Sequence, residues 1–290
     1  MRQSVTVRVP ATSANLGPGF DSLGLALDVW ETLTFEVGTP ADPADGLVRL
    51  ALDAARSAYR LAHVPVPDLR ARGDGTIPIG RGLGASAAAR AAGIVAADAL
   101  MGGALSDEQR LTLGAGLEGH ADNIAPALFG GLRVVVRDGE RYRHLCVPVA
   151  PELRVVLFVP DFDMPTNESR KLLPKELSRE DAVHNIGRAA LLVAALSRGA
   201  WELLDLATQD RLHTPARATL FPALPDIFAA AKDAGAHAAY LSGGGSTVAA
   251  FTTDGDQRIA RAMMQAAIAR GYSGRTIITA PTDAGASIIG

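Results

Sequence analysis

The sequence holds a single cysteine, Cys146, so no disulfide can close within the chain, and a reducing compartment, the cytoplasm, is expected. Lysine is almost as scarce: it occurs only at Lys171, Lys175 and Lys232, and nearly all positive charge is arginine. No Gly-Lys-Ser/Thr exists, which excludes a Walker A loop, and no lysine lies on an early strand, which argues against a protein kinase. No apolar run reaches the roughly 18 residues of a membrane span. The opening MRQSVTVRVP has no apolar core of a secretory signal. Charge of one sign is also missing: Lys+Arg 28 against Asp+Glu 31 leaves a net −3, which argues against a nucleic-acid partner. HExxH and CxxC spacings are absent, so a structural zinc is not expected.

What remains is a 290-residue chain, 48% hydrophobic, with material for one large or two modest packed units. Residues 5–9 alternate like a strand, 10–21 read as a loop of turn formers, and 23–35 as further strand. A turn cluster at 40–46 precedes helical spacing over 48–61. Residues 76–79 read as a short strand running into glycines and then an alanine-rich helix over 85–100. Ser106 with Gln109 is a capping-box signature, which starts a helix near Asp107, and Gly119 stops it. Another strand is expected at 132–136. From residue 151 the pattern changes to strand 153–159, helices near 181–196, 202–207 and 227–234, strands 238–241 and 247–251, helix 257–269 and strand 275–280. That is β-α-β-β-α-β with extra helices, the ferredoxin-like order, and it places a boundary at 150/151.

Four segments carry chemistry. PIGRGLGASAAA at 78–89 puts closely spaced glycines before a helix, where backbone N–H groups and the helix dipole favour an anion such as phosphate. Ser86 falls in the first helical turn, where a hydroxyl can reach a phosphate-bound Mg²⁺. Taken alone, the segment also reads as a glycine-rich turn, and its spacing does not match the Rossmann G-x-G-x-x-G. PATSANLGPGFD at 10–21 supplies short polar groups, Asn15 and Asp21 among them, or is a solvated loop. LSGGGSTVAAF at 241–251 permits close backbone approach, or is a plain hairpin turn. In LEGHADNIAPALFGG at 117–131, Glu118 ends a helix, where the dipole disfavours a carboxylate by about 0.3–1 kcal/mol unless a cation sits beside it.

Three glycine segments in this order resemble the three motifs of the GHMP small-molecule kinases, over almost the whole chain. Within them the chain is similar to the homoserine kinase family, through SANLGPGFD with LGLAL behind it, His120-Ala121-Asp122-Asn123, HNIGRAALL at 184–192 and PARATLFP at 215–222. The resemblance implies an α+β, two-domain GHMP kinase fold: an N-terminal α/β ATP-binding domain over 1–150 and a C-terminal ferredoxin-like (βαββαβ) domain over 151–290. It implies transfer of phosphate from ATP to the side-chain hydroxyl of L-homoserine, a step toward threonine. ATP would lie over Pro78, Ile79, Gly80, Arg81, Gly82, Leu83, Gly84, Ala85, Ser86, Ala87 and Ala88, with Mg²⁺ on Ser86 and Glu118. Homoserine would meet Asn15, Asp21, His120, Asn123 and Gly244, and its carboxylate Arg188 and Arg217. Asn15, Asp21, Ser86, Glu118 and Asn123 are the catalytic candidates, although asparagine cannot take a proton. The loop at 165–174 is either a lid or phosphate contact, through Thr166 and Arg170, or a solvated linker. A homodimer is an allowed assembly; neither nucleic acid nor membrane is an expected partner. Three positions depart from the family pattern: Ala85 replaces a serine, Ser246 a proline, and no asparagine opens the adenine-side helix. Another GHMP kinase, for mevalonate-type acids or sugars, and a non-catalytic GHMP-fold binding protein stand as the other readings.

Overall fold

The computed structural model describes residues 2–38, 45–164 and 166–290. Residues 40–44 of the expected turn cluster lie outside them, as does the Thr166 side chain.

The first sheet is antiparallel throughout, in the order β10-β1-β2-β4-β5, with β3 added to β2. Its spine is β1 (Ser4–Ala14) against β2 (Leu23–Val37). In the first half of β1 the alternation works as expected: Val5, Val7 and Val9 are buried while Ser4 and Arg8 face out. The strand does not end at Pro10. A register shift between Pro10 and Ala11 absorbs the proline, and the strand runs on to Ala14, now buried on both faces. Proline lacks an N–H for the ladder, and a bulge is where a sheet tolerates it. The first five residues of the expected loop, 10–14, are therefore strand.

The short strand expected at 76–79 is absent. Strand β3 is Leu69–Gly73, and residues 74–84 form a turn that the Glu31 carboxylate holds, accepting from Gly75 N at 2.7 Å and Ile77 N at 3.0 Å. A buried side chain takes the place of a ladder partner, and burial pushes the Glu31 carboxyl up from its ordinary range. β4 (Leu132–Asp138) pairs with β5 (Arg141–Val147) as a hairpin; β5 had no clear sequence signal.

Helices α1 (Gly46–Leu61), α2 (Ala85–Leu100) and α3 (Asp107–Glu118) pack beside this sheet, and α4 (Ile124–Phe129) follows α3. The capping box at Ser106/Gln109 is formed, and Gly119 closes α3 in the left-handed conformation. The alanines of α2 let α1 approach closely. At Gly93 an added Cβ would lie 2.0 Å from the Ala51 carbonyl oxygen.

The second sheet, order β7-β8-β6-β9, joins β6 (Arg154–Pro160), β7 (Ala238–Leu241), β8 (Val248–Thr252) and β9 (Gly274–Thr279), all antiparallel, in the ferredoxin-like arrangement. Between β6 and β7 lie α5 (Thr166–Lys171), α6 (Arg179–Arg198), a 3-10 turn with α7 (Leu204–Ala207), α8 (Thr214–Ala218) and α9 (Leu224–Asp233). Helix α10 (Asp256–Ala269) joins β8 to β9. The continuous apolar run of β6 is explained by burial on both faces. Val155, Leu157 and Val159 join the large core shared with the first sheet, whereas Val156 and Phe158 join a smaller core with residues of α9 and α10. The chain ends on β10 (Ser287–Ile288), which returns to β1 through Val7 and Arg8.

Helix propensity alone favours alanine over glycine at position 93 by about 1 kcal/mol. The backbone clash opposes it and should win. Gly93→Ala is expected to lower stability by about 1–3 kcal/mol, read as a lower urea midpoint at unchanged slope; a raised midpoint would mean that α1 and α2 have slack.

Candidate active site

The three glycine segments meet around one cleft of about 900 Å³. Backbone and hydroxyl contacts join them. Thr12 N donates to Leu83 O at 3.1 Å, Gly243 N to Ala14 O at 2.9 Å, and Thr247 N to Arg81 O at 3.0 Å. The Ser242 hydroxyl donates to Gly82 O at 2.7 Å and meets Ser13 Oγ at 2.8 Å. Gly82 and Gly84 both have positive φ, and a Cβ would fall 2.1 Å from Ser242 O and 1.9 Å from Thr12 Oγ1 respectively. At these two positions glycine is required by conformation and by space together.

Gly84 is the N-cap of α2 and gives no side-chain hydrogen bond to it. The first N–H groups of a 16-residue helix therefore lack a cap at the cleft, where the dipole is positive. Pro78 to Ser86 line the cleft, but Ala87 and Ala88 do not; both are buried against the core. The Arg81 guanidinium is committed to the Pro160 and Asp161 carbonyls at 2.8 and 2.6 Å and braces the loop against the second sheet. Ser86 Oγ donates to Glu118 Oε2 at 3.1 Å, and Arg90, one turn further along α2, pairs with the other Glu118 oxygen. The cation that offsets a carboxylate at the end of α3 is thus supplied by the chain itself.

At the other end, Asn15 and Asp21 adopt positive φ of 67° and 55°. Asn15 Oδ1 accepts from Asp21 N at 3.1 Å and its Nδ2 donates to Gly243 O at 2.8 Å. Both Asp21 oxygens accept from Arg170, at 2.7 and 2.8 Å, and this bond holds the Arg170 guanidinium above its ordinary pKa. His120 Nδ1 lies 2.5 Å from Asp122 Oδ1. Burial works against the imidazolium, but the Asp122 bond and the charges of Asp122, Asp21 and Glu118 prevail, so the His120 pKa is raised. Asn123 Oδ1 accepts from Thr12 Oγ1 at 2.8 Å. Asp21, His120 and Asp122 could together reach a metal ion, but Arg170 and the His120–Asp122 bond already engage their ligand atoms.

Arg217, on α8, is 1% exposed. It donates to His213 Nδ1 at 2.9 Å and to Gly243 O at 3.0 Å. Burial, with Arg170 nearby, lowers its pKa to about 10. Among the described residues no carboxylate forms an ion pair with it. The Phe20 ring lies 5.6 Å below Arg217 and 5.1 Å below Arg170.

The cleft thus gathers Asn15, Asp21, residues 78–86, Glu118, His120, Asn123, Arg217 and Gly244. Arg188 is not brought there. It sits half-buried on α6 with its Nε unpartnered among the described residues, and the arginine beside Arg217 is Arg170. Helix α5 carries Arg170 where the sequence left a lid and a linker open. Arg90 and Asp122 also line the cleft, and Thr12 and His213 brace its lining residues Asn123 and Arg217 from behind. Motif reading gives Thr12 only as a polar group of the 10–21 segment and assigns no role to the other three; His213 lies just ahead of the PARATLFP segment.

Residues 47–131 match the family model of the GHMP kinase N-terminal domain, and residues 192–269 that of the GHMP kinase C-terminal domain. The chain is 40% identical to homoserine kinase of Moorella thermoacetica, covering 98% of this chain and 99% of that one. To homoserine kinase of Deinococcus radiodurans it is 42% identical, over 98% and 96%. It superposes on the crystal structure of homoserine kinase from Cytophaga hutchinsonii with a TM-score of 0.88 at 29% identity, covering 100% and 98% of the two chains. The Lactococcus lactis galactokinase structure, at 14% identity and a TM-score of 0.73 over 99% and 96%, shares the fold. The matches run through both sheets and all three glycine segments, so the chain belongs to the GHMP kinases, within the homoserine kinase family.

Proposed function

We propose that this kinase transfers the γ-phosphoryl group of ATP to the side-chain hydroxyl of L-homoserine, giving O-phospho-L-homoserine for threonine synthesis. One observation carries the substrate reading: a buried guanidinium, Arg217, lines the cleft with no carboxylate of its own. An amino-acid carboxylate supplies that missing partner, while Asp21 and the Asn15 and His120 groups suit the substrate's amine and backbone. The nucleotide phosphates fit the uncapped start of α2 and the amides of residues 82–87.

Ser86 and Glu118 are hard oxygen donors 3.1 Å apart at that phosphate end, a donor set that suits Mg²⁺. Bound there, Mg²⁺ would neutralise charge on the nucleotide phosphates. Because Arg90 now holds one Glu118 oxygen, it must share or release it on loading. Phosphoryl transfer passes through a loose transition state, so positioning and charge matter more than a strong base. Asp21 is taken up by Arg170 and, with substrate bound, by the substrate's amine, and Asn123 cannot accept a proton. The substrate hydroxyl is therefore held by hydrogen bonds, and its proton leaves late, to phosphate. The free Cys146 accords with a cytoplasmic setting. Among the described residues no helix is long and apolar enough to cross a membrane.

ADP release with Mg·ATP should be confined mainly to L-homoserine in a panel with L-threonine, L-serine, mevalonate and galactose. Turnover of mevalonate or galactose instead would overturn the substrate assignment, and nucleotide binding without any turnover would favour a binding protein. Arg217→Ala and Arg170→Ala should each raise KM for homoserine roughly 10–150-fold, from 1.5–3 kcal/mol per charge-assisted contact, whereas Arg188→Ala should leave it unchanged. Equal effects at all three positions would contradict the geometry. For the metal, Glu118→Gln should weaken Mn²⁺ binding to the nucleotide complex by on the order of tenfold or more, followed by EPR; full retention of the site would remove Glu118 from the ligand set.

A further inference from the structure

His213 is fully buried next to Arg217, and its two ring nitrogens face different partners. Nε2 lies 2.8 Å from the Gly17 carbonyl oxygen. A carbonyl only accepts, so Nε2 must carry the proton. Nδ1 lies 2.9 Å from Arg217 Nη1. A guanidinium only donates, so Nδ1 must present its lone pair. Only the neutral imidazole protonated at Nε2 satisfies both contacts. A proton on Nδ1 would set two buried cations against each other without a bond. Burial lowers the His213 pKa, although Asp210, 3.5 Å from Nε2, pulls the other way. Asp210 is itself committed elsewhere: it accepts from Asn185 Nδ2 and from the Leu212, His213 and Thr214 amides, which anchors the start of α8.

Arg217 Nη1 thus has two acceptors, the His213 ring and Gly243 O, and both come from parts of the chain that also fix the first glycine segment. Gly17 belongs to that segment, and Asn15 shares the Gly243 carbonyl with Arg217. We infer that His213 is a positioning residue for substrate recognition: its Nδ1 lone pair orients the Arg217 fork toward the substrate carboxylate, while its Nε2–H ties α8 to the first glycine segment. This rests on the reading of Arg217 as the carboxylate ligand of homoserine.

The two nitrogens can be tested separately. Asn Oδ1, like Nδ1, is bonded to Cγ and restores the acceptor for Arg217, but asparagine does not reach Gly17. Gln Nε2 sits one bond further out and restores the donor to Gly17, but not the acceptor. His213→Ala should raise KM for homoserine roughly tenfold, with KM for ATP unchanged. His213→Asn should recover most of that rise, and His213→Gln should not. Thermal stability should run in the opposite order, with the glutamine variant near wild type and the asparagine variant lower by about 2–4 °C. KM that follows the melting temperature would reduce His213 to a structural residue and overturn the inference. Independently of any substrate, ¹⁵N shifts of labelled histidine should show an unprotonated Nδ1 at neutral pH in the free protein; a protonated Nδ1 would equally overturn it. Arg217→Ala with unchanged KM would instead defeat the homoserine-carboxylate reading, and the two failures are told apart by which variant is silent.

Discussion

The site depends on glycine backbone meeting neighbouring chain at distances that leave no room for a Cβ. Gly82 lies against the Ser242 carbonyl, Gly84 against Thr12, and Gly24 against the Asp122 carbonyl, where an added Cβ would fall at 1.7 Å. These contacts bind the β1–β2 segment, the phosphate segment and the β7–β8 turn into one body. That closure leaves the start of α2 open to the cleft and brings Asn15, Asn123 and Gly243 within reach of one ligand. It also places side chains of both sheets in a single core, with Val155 and Leu157 packed in the same cluster as Val7 and Leu25.

Within that frame, charge is balanced locally with one exception. Glu118 has Arg90, Asp21 has Arg170, and Asp122 has His120. Among the described residues Arg217 has only neutral acceptors, His213 and a carbonyl. A charged group removed from water without a counter-charge lowers stability, and the protein keeps this one buried at the cleft. The same imbalance gives an anionic ligand most of its electrostatic gain, because the desolvation of the guanidinium has already been met by folding.

Much of this was legible in the sequence, and the gaps have definite causes. The bounds of α2 and of β7 agree with the spacing, because alanine-rich and apolar runs bounded by glycine leave few alternatives. The capping box fixed the start of α3. Pro10 misled because proline usually ends a strand, whereas here a bulge absorbs it. The strand at 76–79 misled because a buried carboxylate, Glu31, satisfies amides that a ladder would otherwise pair. The motifs found both ends of the site but not the partners that tune it. Arg90, Asp122 and His213 matter through which atom each one faces, and no spacing reveals that. Arg188 lay in a matching segment, yet α6 does not bring it to the cleft, while Arg170 arrives on a helix too short for a periodic signal.

The two arginines at the cleft therefore act on different terms. The Arg170 side chain is 36% exposed and its ion pair with Asp21 is partly solvated, so that pair contributes little to folding and can be exchanged at small cost. Arg217 is buried and fixed by two acceptors, so its orientation is set before any ligand arrives. On the proposed function, a substrate carboxylate would gain affinity from Arg217 without ordering it, since the entropy of placing that fork was spent in folding. Arg170 would then serve as a second, exchangeable donor whose release leaves Asp21 free to meet the substrate's amine. Under that reading, selectivity for a molecule with both charges would follow from this pairing: an acid without an amine would leave Asp21 uncompensated once Arg170 turned to the carboxylate, and a sugar would leave Arg217 as it stands, buried and without an anion.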